Sequence, residues 1–261
     1  MSTVISIASG KGGVGKSSLA VNFSIRLQEI AGSTLLVDSD LLMANAHILM
    51  GFRPELSLVD VIEKKCALSD AIQKIPGTVS ILPGRSGTSV LVEKDGDPLE
   101  TLVPQIRSLK ESYDYVVMDA AAGAGDGVLN ALSHSDHVVI VLLGQATSFV
   151  DAYALIKNAY IERRITQFSV VVNMADNKVK AQTLYDNFER TVCGFLPVSL
   201  IYTGYIPLRD AIARSSKKCK PIVQAPGEKH LIEHIDTVVH RILAAPLSTS
   251  RQTEVVASDC G

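Results

Sequence analysis

The sequence predicts an α/β fold: a doubly wound, mostly parallel sheet with helices on both faces. Short runs of valine, isoleucine and leucine without alternating polar residues recur along the chain. Such runs are typical of strands that are buried on both faces of a parallel sheet. Stretches with apolar residues at helical spacing separate them, and this strand–helix alternation is the pattern of doubly wound folds.

Each element follows from the local pattern. The predicted strands are Val4–Ala8, Thr34–Asp38, Val79–Pro83, Tyr115–Asp119, His137–Leu143, Ser169–Asn173 and Phe195–Ile201. The predicted helices are Lys16–Ile30, Pro98–Glu111, Phe149–Arg163, Asn177–Val192 and Glu228–Ala244. No repeat or linker interrupts this series, so we expect a single domain over residues 1–245. A polar, Ser/Thr-rich stretch follows Pro246, and we expect residues 246–261 to form a flexible tail.

Composition excludes several classes of protein. The chain has 261 residues, of which 47% are hydrophobic, so it can bury a core and is not intrinsically disordered. Its 25 Lys+Arg and 27 Asp+Glu nearly balance, which argues against a surface built as a whole to hold nucleic acid. Apolar runs are too short for a membrane span, and the start has no signal-peptide pattern. The four cysteines form no C-x-x-C pair, so we expect reduced thiols in the cytoplasm and no metal–sulfur site.

A phosphate-binding loop follows the first strand. Residues 10–17 read Gly-Lys-Gly-Gly-Val-Gly-Lys-Ser and match G-x-x-x-x-G-K-[ST] between a predicted strand and a predicted helix. Glycines let backbone N–H groups converge on phosphates, and the helix N-terminus adds a positive dipole end. Lys16 is placed to reach the β- and γ-phosphates, and the Ser17 hydroxyl is a ligand for Mg²⁺. The predicted phosphate-binding residues are Gly10, Lys11, Gly12, Gly13, Val14, Gly15, Lys16, Ser17 and Ser18.

Acidic residues end two of the predicted strands. Asp38 and Asp40 lie two residues apart at the end of one strand, so both can face the same side. Asp119 ends another apolar strand, as in a Walker B motif, and we expect it to be linked to the metal through water. The carboxyl ends of parallel strands meet at one edge of the sheet, which is where the loop also lies. The alternative for Asp38 and Asp40 is that they cap the next short helix.

One strand end carries a candidate base-reading residue. Asn173 can bond both the amino group and a ring nitrogen of adenine. The spacing Asn173-x-x-Asp176 is also half of the N-K-x-D pattern that reads guanine, but Met174 stands in place of the lysine. We therefore favour adenine.

Lys11 is a second lysine inside the loop, which ordinary phosphate loops do not need. Residues 11–18 (Lys-Gly-Gly-Val-Gly-Lys-Ser-Ser) resemble the deviant Walker motif of the MinD/ParA family of P-loop ATPases. The resemblance covers about residues 3–245. It implies a MinD/ParA-like P-loop fold, ATP or ADP with Mg²⁺ as ligands, and slow hydrolysis of ATP. It also implies a homodimer formed with ATP, in which Lys11 touches the phosphates bound by the partner.

The resemblance implies roles for particular residues. Asp40 orients the attacking water, Asp38 belongs to the second shell of Mg²⁺, and Asn45 braces the first switch segment. Residues 204–207 (Gly-Tyr-Ile-Pro) resemble a loop whose backbone passes over the base, which adds Pro207 to the nucleotide contacts. The catalytic residues implied are Lys11, Lys16 and Asp40. The metal-linked residues implied are Ser17, Asp38 and Asp119. Ala121 stands where family members usually have proline or glycine.

Residues 144–157 (Gly-Gln-Ala-Thr-Ser-Phe-Val-Asp-Ala-Tyr-Ala-Leu-Ile-Lys) resemble the FlhG/FleN branch, the flagellar number regulators, although the proline of that turn is missing. This implies control of the number or placement of flagella or of a similar polar assembly. The partner implied is a flagellar GTPase, a transcription regulator or a basal-body component. Nine residues precede Gly10, so we expect no N-terminal activation segment.

Two features of the sequence bear on membrane and DNA binding, and each has a simpler structural interpretation. The apolar stripe of helix 228–244 is narrow and residues 252–261 contain no Lys or Arg, so we favour packing on the domain over membrane binding. The basic cluster Arg214, Lys217, Lys218 and Lys220 is expected to be a solvated loop.

A ParA-like ATPase that binds non-specific DNA is one alternative function. A nearly inactive binder, whose nucleotide sets its affinity for a partner, is another. We expect the protein to lie in the cytoplasm. A position at the cell pole or a transient association with the membrane is the alternative.

Overall fold

Eight strands form one sheet in the part of the chain that the computed structural model describes, which is residues 2–41, 43–75, 78–85, 102–106, 109 and 112–248. The strands are β1 (Thr3–Ser9), β2 (Thr34–Asp38), β3 (Gln73–Lys74), β4 (Ser80–Leu82), β5 (Tyr115–Ala122), β6 (His137–Leu143), β7 (Gln167–Ala175) and β8 (Ser199–Pro207). Their order is β3-β4-β2-β5-β1-β6-β7-β8. Only the short β3–β4 pair is antiparallel among these strands. The predicted doubly wound, mostly parallel sheet is therefore confirmed.

Helices cover both faces of this sheet. They are α1 (Lys16–Ile30), α2 (Ala46–Leu49), α3 (Leu58–Ile62), α4 (Leu68–Ala71), α5 (the described helical residues 102–106), α6 (Asp126–Ser133), α7 (Ala146–Arg163), α8 (Lys178–Phe195), α9 (Asp210–Lys218) and α10 (Lys229–Leu243). The predicted helix Pro98–Glu111 is seen only at its described residues 102–106, and most of its remainder lies outside the described residues.

The core is divided by the alternation of side chains along the strands. Ile5 and Ile7 of β1 face the layer formed by α1 and α10, whose buried residues include Phe23. Ala8 faces the opposite layer with α7 and α8, where Phe188 is fully buried. Because both faces are covered, the strands read as continuous apolar runs. Their carboxyl ends share one edge of the sheet, and that edge carries the residues of interest.

The last predicted strand is wrong in its position. Residue 195 is the end of α8, where its phenylalanine side chain is 76% exposed, and β8 begins only at Ser199. The apolar run is interrupted by Pro197, which lacks an N–H donor and disfavours a helical residue before it. The helix therefore stops short of Pro197, and β8 continues past the predicted end to Pro207.

The basic cluster expected as a loop is largely helical. Arg214, Lys217 and Lys218 lie on α9, and Lys220 follows two residues after its end. The helix dipole favours cations in the last turn, where Lys217 and Lys218 lie. Arg214 also pairs with Glu228 at 3.4 Å. These contacts give the cluster a structural explanation.

The end of α10 is followed by a segment that packs on the sheet. Ser248 is only 3% exposed, its hydroxyl accepts a hydrogen bond from Val138 N at 2.8 Å, and its own N–H donates to the carbonyl of Asp136 at 2.7 Å. The polar groups of Ser248 therefore pair with the backbone beside β6, and the flexible tail from residue 246 remains a prediction. Residues 249–261 lie outside the described part of the chain.

Two further expectations concern membranes. The apolar stripe of α10 is buried against the domain, with Leu231, Ile235 and Val239 at most 2% exposed, as the narrow stripe predicted. Within the described residues, no helix combines the length and the apolar character that crossing a membrane requires.

Replacement of Ser248 tests whether it belongs to the folded domain. Ser248→Ala leaves the buried N–H of Val138 without its acceptor, which costs about 1–3 kcal/mol. We expect urea unfolding to show a loss of this size in the free energy of unfolding. Ser199→Ala, which changes an exposed serine, is the matched control and should change it little. Equal stability of the two variants would contradict the packing described.

Candidate functional site

The loop between β1 and α1 is held by α7 on one side and by β7 on the other. A Cβ atom on Gly10 would lie 2.1 Å from the backbone carbon of Asp151 in α7, so only glycine fits there. Gly13 and Gly15 have φ angles of 80° and 83°, the left-handed region that favours glycine. The glycines of the predicted motif are therefore required by the local geometry at these three positions.

Asn173 braces the other side of the loop. It ends up 5% exposed on β7, and its Nδ2 donates to the carbonyl of Val14 at 2.7 Å. A Cβ on Gly15 would lie 2.4 Å from that nitrogen. The structure thus gives Asn173 a bracing contact that the sequence did not reveal. Its contact with adenine remains a prediction.

Lys16 and Asp119 form a buried ion pair at the start of α1. Lys16 Nζ lies 2.5 Å from Asp119 Oδ1, with the two side chains 7% and 0% exposed. The second oxygen, Oδ2, is buried and has no hydrogen-bond partner among the described residues. Burial raises the pKa of Asp119, while the charge of Lys16 opposes that rise. The pair therefore leaves one buried carboxylate oxygen available for a cation or a polar ligand.

Asp38 lies opposite Asp119 in the register of β2 and β5. Its Oδ2 accepts hydrogen bonds from the backbone N–H groups of Asn45 and Ala46, at 3.0 and 2.9 Å. These bonds satisfy N–H groups at the start of α2, but the N-cap residue of that helix is Asn45 and not Asp38. Burial, and next the charge of Asp119, raise the pKa of Asp38 to about 7.

Asn45 is connected to this site through its backbone. Its side chain makes no cap hydrogen bond to α2 and the residue is exposed. Its N–H donates to Asp38, and the bracing of the first switch segment that the resemblance implied for Asn45 remains a prediction.

Asp40 shares a cleft with the phosphate loop. It is partly exposed, and its Oδ1 accepts from the N–H of Met43 at 2.9 Å. The cleft has a volume of about 380 Å³. Its lining includes Lys11, Gly12, Gly13, Gly15, Lys16, Ser17, Ser18, Asp40, Met43, Asn45 and Ile48. The three predicted catalytic residues, and all of the predicted phosphate-binding residues except Gly10 and Val14, thus line one cleft at the carboxyl edge of the sheet.

Lys11 reaches the first turn of α7. Its Nζ lies 2.7 Å from Thr147 Oγ1 and 3.1 Å from Gln145 Oε1. Sequence reasoning did not place these two residues in the site. The signal was present, because residues 144–157 follow β6, and β6 pairs with β1, the strand before the loop.

Pro207 lies at the end of β8, beside the strand that carries Asn173. It is buried and pairs in register with Ala175 of β7. Asn173, Ser18 and Ile206 line one narrow pocket next to Gly15. Pro207 is not part of this lining, and its contact with a nucleotide remains a prediction.

Taken together, a glycine loop before a helix, a buried lysine and three carboxylates at one sheet edge define a P-loop nucleotide-binding protein. A family model described as "AAA domain" matches residues 2–168. The antiactivator FleN of Pseudomonas aeruginosa is 34% identical over 222 residues, which cover 85% of this chain and 79% of FleN. The chain belongs to the MinD/ParA family of deviant-Walker P-loop ATPases and stands close to its FlhG/FleN branch.

Two further proteins resemble this chain, one in sequence and one in fold. The flagellum site-determining protein YlxH of Helicobacter pylori is 26% identical over 247 residues, covering 94% of this chain and 83% of YlxH. The septum site-determining protein MinD of Pyrococcus horikoshii, solved in complex with Mg-ADP, has a TM-score of 0.77 at 23% identity. That comparison covers 94% of this chain and 98% of MinD, and it shows a shared fold.

A pair of glycine substitutions tests the packing of the loop. Gly10→Ala forces a Cβ into the backbone of Asp151, and overpacking of this kind costs about 1–3 kcal/mol. We expect a lower free energy of unfolding, measured in urea without nucleotide. Gly12→Ala is the matched control, because its Cβ would meet nothing within 4 Å. A Gly10→Ala protein as stable as the control would show that the loop is not held against α7.

The raised pKa of Asp38 predicts a pH dependence of stability. With a pKa of about 7 in the folded state and about 3.9 in the unfolded chain, the folded protein binds a proton that the unfolded chain has lost. Stability from this group is therefore present at low pH and falls as the pH rises towards 7. Between pH 5 and pH 8 the loss is on the order of 2–3 kcal/mol.

Asp38→Asn isolates this effect. The amide oxygen can still accept the hydrogen bonds of Asn45 and Ala46 but does not ionise. We expect urea unfolding at pH 5 and pH 8 to show a smaller loss of stability than in the wild type. Asp186→Asn, at an exposed position of α8, is the control and should retain the wild-type slope. The same slope in all three proteins would rule out a raised pKa for Asp38.

Proposed function

We propose that this protein is a MinD-like ATPase that works as an ATP-dependent dimerisation switch and controls the number or placement of flagella or of a similar polar assembly. The observation that carries the proposal is the cleft that Lys11, Lys16 and Asp40 line together. Two cations and a partly exposed carboxylate suit the binding of a triphosphate and its slow hydrolysis to ADP and phosphate.

The residues present fit ATP with Mg²⁺. Lys16 has three N–H donors, of which Asp119 takes one and the Ser17 hydroxyl, at 3.5 Å, takes another, so one remains for a phosphate oxygen. The orphaned Oδ2 of Asp119 and the hydroxyl of Ser17 are hard oxygen donors of the type that Mg²⁺ prefers. Ser17 would hold the ion directly, and Asp38 and Asp119 its water shell. When bound, Mg²⁺ neutralises phosphate charge.

Asp40 is the residue proposed to orient the attacking water. It lines the cleft, whereas Asp38 and Asp119 are completely buried. Phosphoryl transfer demands mainly positioning and charge neutralisation, so a carboxylate that orients water is sufficient for slow turnover. Lys11 supplies its charge to the partner's phosphates in the dimer, and Asn173 and Pro207 hold the adenine end.

The proposed role in controlling flagella is based on the names of the relatives. One is named an antiactivator and another a flagellum site-determining protein. We infer a cytoplasmic regulator whose ATP-bound dimer binds a flagellar GTPase, a transcription regulator or a basal-body component. Arg214 of α9 pairs with Glu228, and Lys217 and Lys218 lie in the last turn, where the helix dipole favours cations. These residues give DNA no particular support, so DNA binding is kept as an outcome of the test.

Replacement of Asp40 tests the switch. Asp40→Ala removes the water-orienting carboxylate but leaves the phosphate loop intact, so we expect ATP binding to persist. Phosphate release should fall about 100-fold, the scale of a positioned acid–base group. Sedimentation velocity with Mg-ATP should show a persistent dimer. Asp186→Ala on the exposed face of α8 should hydrolyse like the wild type. Hydrolysis by Asp40→Ala at the wild-type rate would refute the assignment.

The persistent dimer expected of Asp40→Ala also tests the proposed role in controlling flagella. Purified Asp40→Ala with Mg-ATP is used as bait against candidate flagellar regulators, with Lys16→Gln as the bait that lacks phosphate binding. We expect nucleotide-dependent capture of a flagellar protein by the first bait only. Salt-sensitive binding of the dimer to random duplex DNA would favour the partitioning ATPase instead. Binding of a partner without any hydrolysis of ATP would favour the nearly inactive regulator.

A further inference from the structure

Two histidines lie about one turn apart near the start of α10. His230 and His234 are separated by four positions, so their side chains share one face of the helix. Their ring centroids are 4.8 Å apart, and the ring of His234 also packs on Tyr205 of β8 at 4.6 Å. Neither histidine lines the phosphate cleft or the narrow pocket next to Gly15. Two histidines at this spacing on one helix face are an arrangement that binds Zn²⁺ in proteins.

Both rings have Nε2 available as a ligand. Nε2 of His234 is buried and has no hydrogen-bond partner among the described residues. Burial lowers the pKa of His234, so the ring is neutral at pH 7, and a hydrogen bond with the backbone of Tyr205 opposes this shift. Since Nε2 is without a partner, that bond uses Nδ1. In His230, Nδ1 lies 3.6 Å from Oε2 of Glu233. Metal-binding histidines are typically oriented in this way, with the other nitrogen facing a backbone carbonyl or a carboxylate.

The separation of the two rings suits a shared ion. Two imidazoles that bind one tetrahedral Zn²⁺ through Nε2, at about 2.0–2.1 Å each, have ring centroids about 5 Å apart. The 4.8 Å between His230 and His234 is close to that value. Among the residues that the structure describes, no three His, Cys, Asp or Glu side chains form a group that holds a metal ion. The two histidines are therefore an open chelate whose remaining positions water fills.

We propose that His230 and His234 together bind a divalent transition-metal ion, of the class of Zn²⁺, through their Nε2 atoms. Imidazole nitrogen suits Zn²⁺, Ni²⁺ and Cu²⁺, whereas Mg²⁺ prefers oxygen ligands. The carboxylate of Glu233 offsets part of the charge of the ion, and the charge of Arg209 opposes it. With two protein ligands the ion exchanges with solution. The site is separate from the proposed ATPase chemistry and does not depend on it.

Titration of the nucleotide-free protein with Zn²⁺ tests the chelate directly. Long-range ¹H–¹⁵N NMR of the histidine rings at pH 7.5 should show the Nε2 signals of His230 and His234 shifting together, while the exposed His240 of the same helix stays unchanged. Mg²⁺ should shift neither ring. At pH 5.5 the effect of Zn²⁺ should be lost, because protons compete for both rings; the charged groups that act on His234 there are His230, Glu233 and Arg209. Zn²⁺ that shifts neither ring, or only one of them, would overturn the proposal.

A change of spacing supplies the matched control. His230→Ala removes one ligand at an exposed position, and we expect the Zn²⁺ affinity measured by calorimetry to fall by at least about 10–100-fold, the cost of losing even an outer-shell partner. The double variant Lys229→His with His230→Ala keeps two histidines but places them five positions apart, on different faces of α10. It also removes a cation, yet it should bind Zn²⁺ as weakly as His230→Ala. Wild-type affinity in either variant would show that the pair is not a chelate.

Discussion

The ion pair between Lys16 and Asp119 is the interaction on which the site depends. Both groups are buried at the centre of the sheet, where β1 and β5 are neighbours. Two charges removed from water are costly, and removal of one partner leaves the other uncompensated. The same negative charge helps to raise the pKa of Asp38. The site is therefore a coupled group of charges that the apolar strands hold together, and a phosphate would enter it at the Lys16 end.

The loop is rigid on both sides of this pair. α7 contacts it at Gly10 and Asn173 braces it at Val14. Preorganised donors cost little to arrange when a ligand binds, which is the main protein contribution to phosphoryl transfer. The carboxylate of Asp38 extends the arrangement to α2 through two backbone hydrogen bonds. A change at the phosphate position is thereby linked to the segment that carries Asp40.

Much of the fold followed from local patterns. The bounds of β2, β6 and α1 agree with the prediction, since each is a continuous apolar run or an amphipathic stretch with clear ends. The phosphate loop and its three carboxylates were found because their spacing within the chain is characteristic. β8 was misplaced because Pro197 interrupts an apolar run that spans a helix end and a strand start. The contacts of Lys11 and Asn173 were missed since they join residues 134 to 159 positions apart, and they depend on the order of strands.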